Sequence, residues 1–244
     1  MTLLSAGYMY SGRSAFYGFD WTYLLALLGL GLTLIASANV NRTFAKYNKV
    51  RSMSGLTGAT AARYILDSQG LSHIGIEHVS GNLTDHYDPK SKTLRLSDST
   101  YQSQSVAAIC VAAHESGHAV QDKVHYGPLV LRSSLVPAAN FGSSLAWPIF
   151  LAGLILAMRP LMTVGIVLFS LAVLFQLVTL PVEFDASARA LKILRDGKIL
   201  PTDELEGGRK VLTAAALTYV AALASSALQL LRLILLSKSR SRDD

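Results

Sequence analysis

Four stretches of the chain are apolar and free of charge for about the length that crosses roughly 30 Å of hydrocarbon, at 21–40, 133–158, 161–180 and from 211 onward. In the fourth, Arg232 interrupts the run before Leu233, Ile234, Leu235 and Leu236, and its long stem is expected to carry the charge to the interface, so the span is drawn as 211–236. Between the first two spans the period changes. Ala59, Ala62, Ile65 and Leu66 recur at helical spacing over 57–69, a segment that follows a Ser54-Gly55 turn and ends at Gly70. Residues 74–79, Tyr87 and 93–96 read as short strands around Gly81-Asn82 and Asp88-Pro89 turns. A helix over 104–123 follows, apolar all round at Ala107 to Ala113, and Pro181 after the third span is placed to start another helix.

This pattern predicts a mainly α membrane protein of about four transmembrane helices with a small α+β region at the membrane surface. Its parts are an N-terminal segment 1–20, the first span, a surface region 41–132, two further spans, a helix and linker over 181–210, the last span, and a disordered basic tail 237–244. The composition agrees, with 51% hydrophobic residues, 16% charged residues and a mean hydropathy of +0.37, too apolar for an ordinary soluble domain. A signal peptide is the competing reading of the first span, but its core is too long for one. Arg42, Lys46, Lys49 and Arg51 flank that span, and the regions 41–132 and 181–210 lie two crossings apart and so on one side. Positive-inside then places both in the cytosol and the amino terminus outside. The net charge of +6 is explained by this topology and by anionic headgroups, and the absence of a basic-aromatic platform argues against nucleic acid as a partner. Cys110 is the sole cysteine, which excludes a disulfide framework and a Cys-type zinc site.

The chemistry sits in the helix over 104–123, where His114, Glu115, Ser116, Gly117 and His118 form an H-E-x-x-H run. Residues four apart share a helix face, so both imidazoles reach one metal ion while Glu115 faces its water ligand. A chance occurrence has a frequency on the order of 1%, and the apolar surroundings would be a costly place for these groups without a partner. The pattern therefore points to Zn²⁺, held by His114 and His118, with Glu115 as general base for metal-assisted hydrolysis in a zincin-like region. A catalytic zinc usually takes a third protein ligand and keeps one open position. The extension that supplies a third His six residues after the second fails, because that position is Val124 and His125 falls too far along. Glu183 is the better source, on the same membrane side as the motif. A helix from Pro181 would present Glu183 and Ser187 on one face, with Asp185 turned about 160° away. The alternative for Glu183 and Asp185 is simple preference for a helix N-terminus.

At these residues the chain resembles the YugP-type neutral zinc metallopeptidases of bacterial membranes. The similarity runs from the first span past Glu183. It is most specific in Gly55-Leu56-Thr57-Gly58-Ala59, Leu83 to Pro89, Ala112 to Ala119, Leu131-Arg132-Ser133, Pro137 to Ser143, and Leu180 to Ser187. The resemblance implies a membrane-bound zinc peptidase of the bacterial cell membrane with His114, His118 and Glu183 as ligands and Glu115 as base. The family also resembles the heat-shock-type membrane zinc proteases, whose third-ligand motif is E-x-x-A-D. Ser187 stands where that wider group carries an Asp that orients a ligand histidine, and can make a weaker form of that bond.

Among other polar residues, Arg189 is a candidate to pair with neighbours of Glu183 or to stabilise an oxyanion, against a surface or headgroup role. Asn140, near the start of the second span, is expected to hydrogen-bond within the bundle or near the site. His86, Tyr87, His125 and Tyr126 are candidate oxyanion donors against a structural role, and His73 and His78 read as ordinary strand residues. The expected function is a membrane-integral zinc endopeptidase acting on membrane or membrane-proximal proteins, with an extended protein or peptide substrate adding to a sheet edge near 93–96. The alternative is a catalytically silent zinc-stabilised membrane scaffold or adaptor, which retention of Glu115 disfavours. Membrane-protein partners and homo-oligomers stay open.

Overall fold

A computed structural model describes residues 20–240. The N-terminal segment 1–20 thus lies, but for its last residue, outside the described residues, as does the tail beyond Arg240. The described elements are α1 (Tyr23–Tyr47), α2 (Gly58–Ser68), β1 (Gly75–Val79), β2 (His86–Asp88), β3 (Thr93–Ser97), α3 (Val106–Lys123), α4 (Gly127–Ile155), α5 (Arg159–Asp196) and α6 (Thr202–Arg240). Helices α1, α4, α5 and α6 are long and apolar enough to cross a membrane, and the fold is a mainly α membrane protein with a small three-stranded sheet.

The surface region folds around α3. Ser105 caps it by accepting the Ala108 N–H at 3.1 Å, as expected of a Ser that satisfies an otherwise orphaned first-turn donor. From Val106 to Gln121 every residue except Val111 and His114 is buried. One side packs Ala112, Ala119 and Val120 against Ala62 and Leu66 of α2 and Leu94 and Leu96 of β3. Another packs Ile109, Cys110 and Ala113 against Ala190 and Leu194 of α5 and Leu212 of α6. Helix α2 begins at a Thr57–Thr60 capping box and ends before Gly70, whose φ of +66° suits a residue without Cβ.

The sheet order is β1-β3-β2, with β1 parallel and β2 antiparallel to β3. Residues 93–96 therefore form the central strand, paired on both sides. A substrate cannot add there; the edge facing α3 is β2.

Helix α5 is the hub of the long helices, with α4 packed against it and α6 packed between it and α1. Small residues allow the close approach: a Cβ on Gly142 would lie 2.6 Å from the Leu168 carbonyl oxygen, and one on Gly29 would lie 2.7 Å from Ser225 Oγ. Two expectations need correction. Pro181 does not start a helix; α5 runs through it without a break from the third span to Asp196. Proline removes one backbone donor, a loss that packed membrane helices tolerate when neighbouring groups satisfy the freed carbonyl. The segment after Leu236 is helical as far as Arg240 rather than disordered. Arg232 lies near the end of its span with its guanidinium 4.3 Å from the Tyr23 ring centre, a cation–π contact at the start of α1.

Candidate metal centre

Helices α3 and α5 cross at Gly117, where an added Cβ would fall 2.6 Å from the carbonyl oxygen of Ala186. Only a residue without a side chain lets the two backbones meet so closely. The crossing lies between His114 and His118 on one helix and Glu183 and Ser187 on the other, so it sets the distance between their side chains.

Glu183 Oε2 stands 3.3 Å from His114 Nε2 and 3.6 Å from His118 Nε2. Donors on arms of about 2.1 Å at the tetrahedral angle lie about 3.4 Å apart, so both separations fit edges of a zinc tetrahedron. The three ligand atoms all lie within 4.8 Å of one another and could hold a metal ion. Glu183 is 2% exposed, and its Oε2 is buried without a hydrogen-bond partner. A carboxylate oxygen in that state is costly unless a cation completes it. The residues present therefore fit a zinc ion.

The other ring nitrogens are also held. Ser187 Oγ lies 3.1 Å from His114 Nδ1, the position the sequence expectation gave it. His118 Nδ1 lies 2.9 Å from Gln121 Oε1, while Gln121 Nε2 donates to the Val182 carbonyl at 2.9 Å and to Asp185 Oδ2 at 2.7 Å. Two oxygens face the amide nitrogen, so the amide oxygen must face the imidazole. Gln121 can then only accept, His118 carries its proton on Nδ1, and the Nε2 lone pair is free for a metal. Arg189 Nε donates to Asp185 Oδ2 at 2.6 Å and its guanidinium lies over the Tyr126 ring, so it braces this chain and pairs with a helix neighbour of Glu183.

Glu115 accepts the backbone N–H of Tyr87 at 3.1 Å, from the side of β2 that faces away from β3. The Tyr87 hydroxyl donates to Asp122 Oδ2 at 2.7 Å, which ties the edge strand to the far end of α3. Burial, followed by the Asp122 charge, pushes the Tyr87 phenol above its ordinary range, so it stays a protonated donor. Arg132 Nη1 lies 3.4 Å from Glu183 Oε1, the oxygen not aimed at the histidines.

Two cavities meet here. One, of about 290 Å³, lies under β2 and the start of α4 and is lined by Tyr87, Arg132 and Ser133 among others. The second, of about 250 Å³, lies between α1, α3 and α6. His114, Glu115, Glu183 and Tyr219 line both.

Asn140 is not among these residues. It is exposed on α4, lines neither cavity, and takes part in local bonds through its carbonyl, which accepts from Ser143 and Ser144. His78 pairs with Asp98 at 2.6 Å, away from the site, while His86 holds the Thr84 carbonyl at 2.9 Å. Sequence reading overlooked Gln121, Asp185, Arg132 and Tyr219. Gln121 carried a usable signal, three residues beyond His118 on the same helix face. Asp185 does point away from the histidines' Nε2 atoms, yet it reaches the site through Gln121.

Comparison with known proteins places this geometry in a lineage. No solved structure matches the chain. The chain is 49% identical over 212 residues to the "Putative membrane protease YugP" of Bacillus subtilis, an alignment covering 87% of this chain and 94% of that protein. The profile of the family described as "Putative neutral zinc metallopeptidase" matches residues 22–238, from the foot of α1 almost to the end of α6, and the chain belongs to that family.

Proposed function

We propose that the protein is a membrane-integral zinc endopeptidase that hydrolyses peptide bonds of membrane or membrane-proximal proteins. The observation that carries this is the convergence of His114 Nε2, His118 Nε2 and Glu183 Oε2 at tetrahedral edge distances, with Glu183 Oε2 buried and unpartnered beside Glu115. A zinc ion held by these three atoms would supply Lewis-acid polarisation of the scissile carbonyl and an acidified water. Glu115 would serve as the general base and acid, accepting a proton from the attacking water and returning one to the amine as the C–N bond breaks. The Tyr87 N–H keeps the carboxylate facing the junction of the two cavities. Tyr219, on both cavity walls, is placed to donate to the developing oxyanion, and Arg132 steadies Glu183 from its other oxygen. An extended substrate lies beside β2, in the cavity between that strand and the start of α4. The basic flanks of α1 and of the 181–210 segment favour a site on the cytosolic face.

Purified full-length protein should carry about one zinc per chain and cleave casein or a membrane-protein substrate, with loss in chelator and recovery on adding zinc. Glu115→Gln should keep zinc and fold while abolishing cleavage. Retained proteolysis in that variant rejects the assignment, and zinc without cleavage in either protein would favour the silent scaffold.

A further inference from the structure

The second cavity has two different ends. At its inner end stand His114, Glu115 and Glu183. The rest of its lining is mainly apolar, with Val40 and Phe44 from the last turns of α1, Val111 of α3, and Val211, Leu212 and Ala215 from α6, while Asp85, Ser187 and Thr218 add polar groups. Phe44 and Val211 also pack against Ala107 in a buried cluster, so these walls are part of the core and hold their shape. Of the helices that form them, α1 and α6 are candidate membrane spans, and the contributing turns lie where these two leave their apolar runs.

A volume of about 250 Å³ falls below the roughly 300–1,000 Å³ of sites that take a whole drug-sized ligand. It suits one large side chain. The cavity under β2 supplies the complementary part, an edge strand that can hold a peptide backbone. A backbone lying along β2 across the zinc ligands would point one side chain, next to the bond being cut, into the apolar space.

We propose that the cavity between α1, α3 and α6 is the specificity pocket of the enzyme, selecting substrates with a bulky apolar residue of the Leu, Ile, Met or Phe type flanking the scissile bond. This rests on the peptidase reading above and adds the substrate class. Two chemical reasons single out this occupant. An apolar side chain leaves water for walls that are mainly apolar, and an acidic one would meet the carboxylates of Asp85, Glu115 and Glu183 on the same lining. The difference between one side-chain size and the next in such a pocket is about 10- to 200-fold in kcat/KM.

Ala215 of α6 and Val40 of α1 both line the pocket, and neither belongs to the catalytic group, so Ala215→Leu and Val40→Phe fill the space from two different helices. Full-length protein in nanodiscs is given a peptide series with Gly, Ala, Leu, Phe, Asp or Lys on either side of the cut, and products are read by mass spectrometry. The unaltered enzyme should favour Leu and Phe over Ala at one flanking position by at least about ten-fold, with Asp poorest. Each filling variant should lose that preference while keeping its zinc and its cleavage of the Ala peptide. A binding arm uses the same peptides, fluorescently labelled, on Glu115→Gln protein with and without Ala215→Leu. The Leu peptide should bind about ten-fold tighter than the Ala peptide, and the filling change should erase the difference. Equal binding or equal cleavage of Ala and Leu peptides, or a preference untouched by both fillings, overturns the pocket. Discrimination in binding without any turnover leaves the pocket standing and overturns the peptidase reading instead.

Discussion

Gly117→Ala tests whether the α3–α5 crossing sets the metal geometry. The added Cβ would sit 2.6 Å from the Ala186 carbonyl oxygen and 3.3 Å from its Cα and carbonyl carbon. A carbon beside a carbonyl oxygen rests at about 3.3 Å or more, so the helices must part by roughly 0.7 Å. The obstacle is backbone on both sides, and no rotamer change relieves it. Overpacking of this kind costs about 1–3 kcal/mol, while replacing a mid-helix Gly by Ala returns about 1 kcal/mol. The net effect on folding is therefore small, at most about 2 kcal/mol. The effect on zinc is not, because a functional constellation tolerates about 0.5 Å of displacement and zinc–ligand distances only about 0.2 Å. Zinc affinity, measured by competition with a fluorescent chelator, should fall at least about 10- to 100-fold, while thermal unfolding in excess EDTA shifts little. Gly142→Ala is the matched control, since its Cβ would also lie 2.6 Å from a carbonyl oxygen, that of Leu168, but at the α4–α5 contact. It should cost similar stability and leave zinc binding unchanged. Wild-type zinc affinity in Gly117→Ala, or an equal loss in Gly142→Ala, would refute the reasoning.

Gln121→Leu removes the acceptor that fixes the proton on His118 Nδ1 and leaves Asp185 with Arg189 alone; zinc affinity should drop about 10- to 100-fold with unchanged helical circular dichroism. Tyr219→Phe should lower kcat about 10²-fold or more at constant zinc content, with KM nearly unaltered, because the hydroxyl is asked to act only on the developing oxyanion; an unchanged kcat removes Tyr219 from that role.

Much of this was legible because the spans and H-E-x-x-H are local patterns. Charge-free runs mark α1, α4, α5 and α6, and i,i+4 spacing alone puts His114 and His118 on one face. Glu183 and Ser187 were legible for the same reason, since four-residue spacing holds whether or not a helix begins at Pro181. The helix start was misplaced because Pro is a strong breaker in water and a tolerated residue where packed helices compensate. The central position of 93–96 was hidden because strand order depends on pairing at a distance, and β1 pairs with β3 across the whole β2 hairpin. Gln121 and Tyr219 were missed for a related reason. An amide three residues past a histidine, or a Tyr within an apolar span, gains meaning only when another helix brings a partner to it. Asn140 failed in the opposite sense: an amide near a span invites an internal partner, but this one faces outward on α4.

The arrangement also bears on why a peptidase of the proposed kind would be built into the bilayer at all. Helix α3 is not among the described helices long and apolar enough to cross a membrane, and it carries only two of the three candidate ligands. The third comes from α5, which continues directly from a candidate span, and Gly117, between the two histidines, and Gln121, beyond His118, fasten the two helices together. The apolar cavity is likewise walled by α1 and α6, whose spans continue from the same turns. Lateral shifts among α1, α5 and α6 would therefore act on both the candidate metal geometry and the pocket width. A soluble zincin can complete its site within one domain. Here the ligand set is complete only when the membrane helices are packed, so the assembled bundle is itself a structural condition of the chemistry.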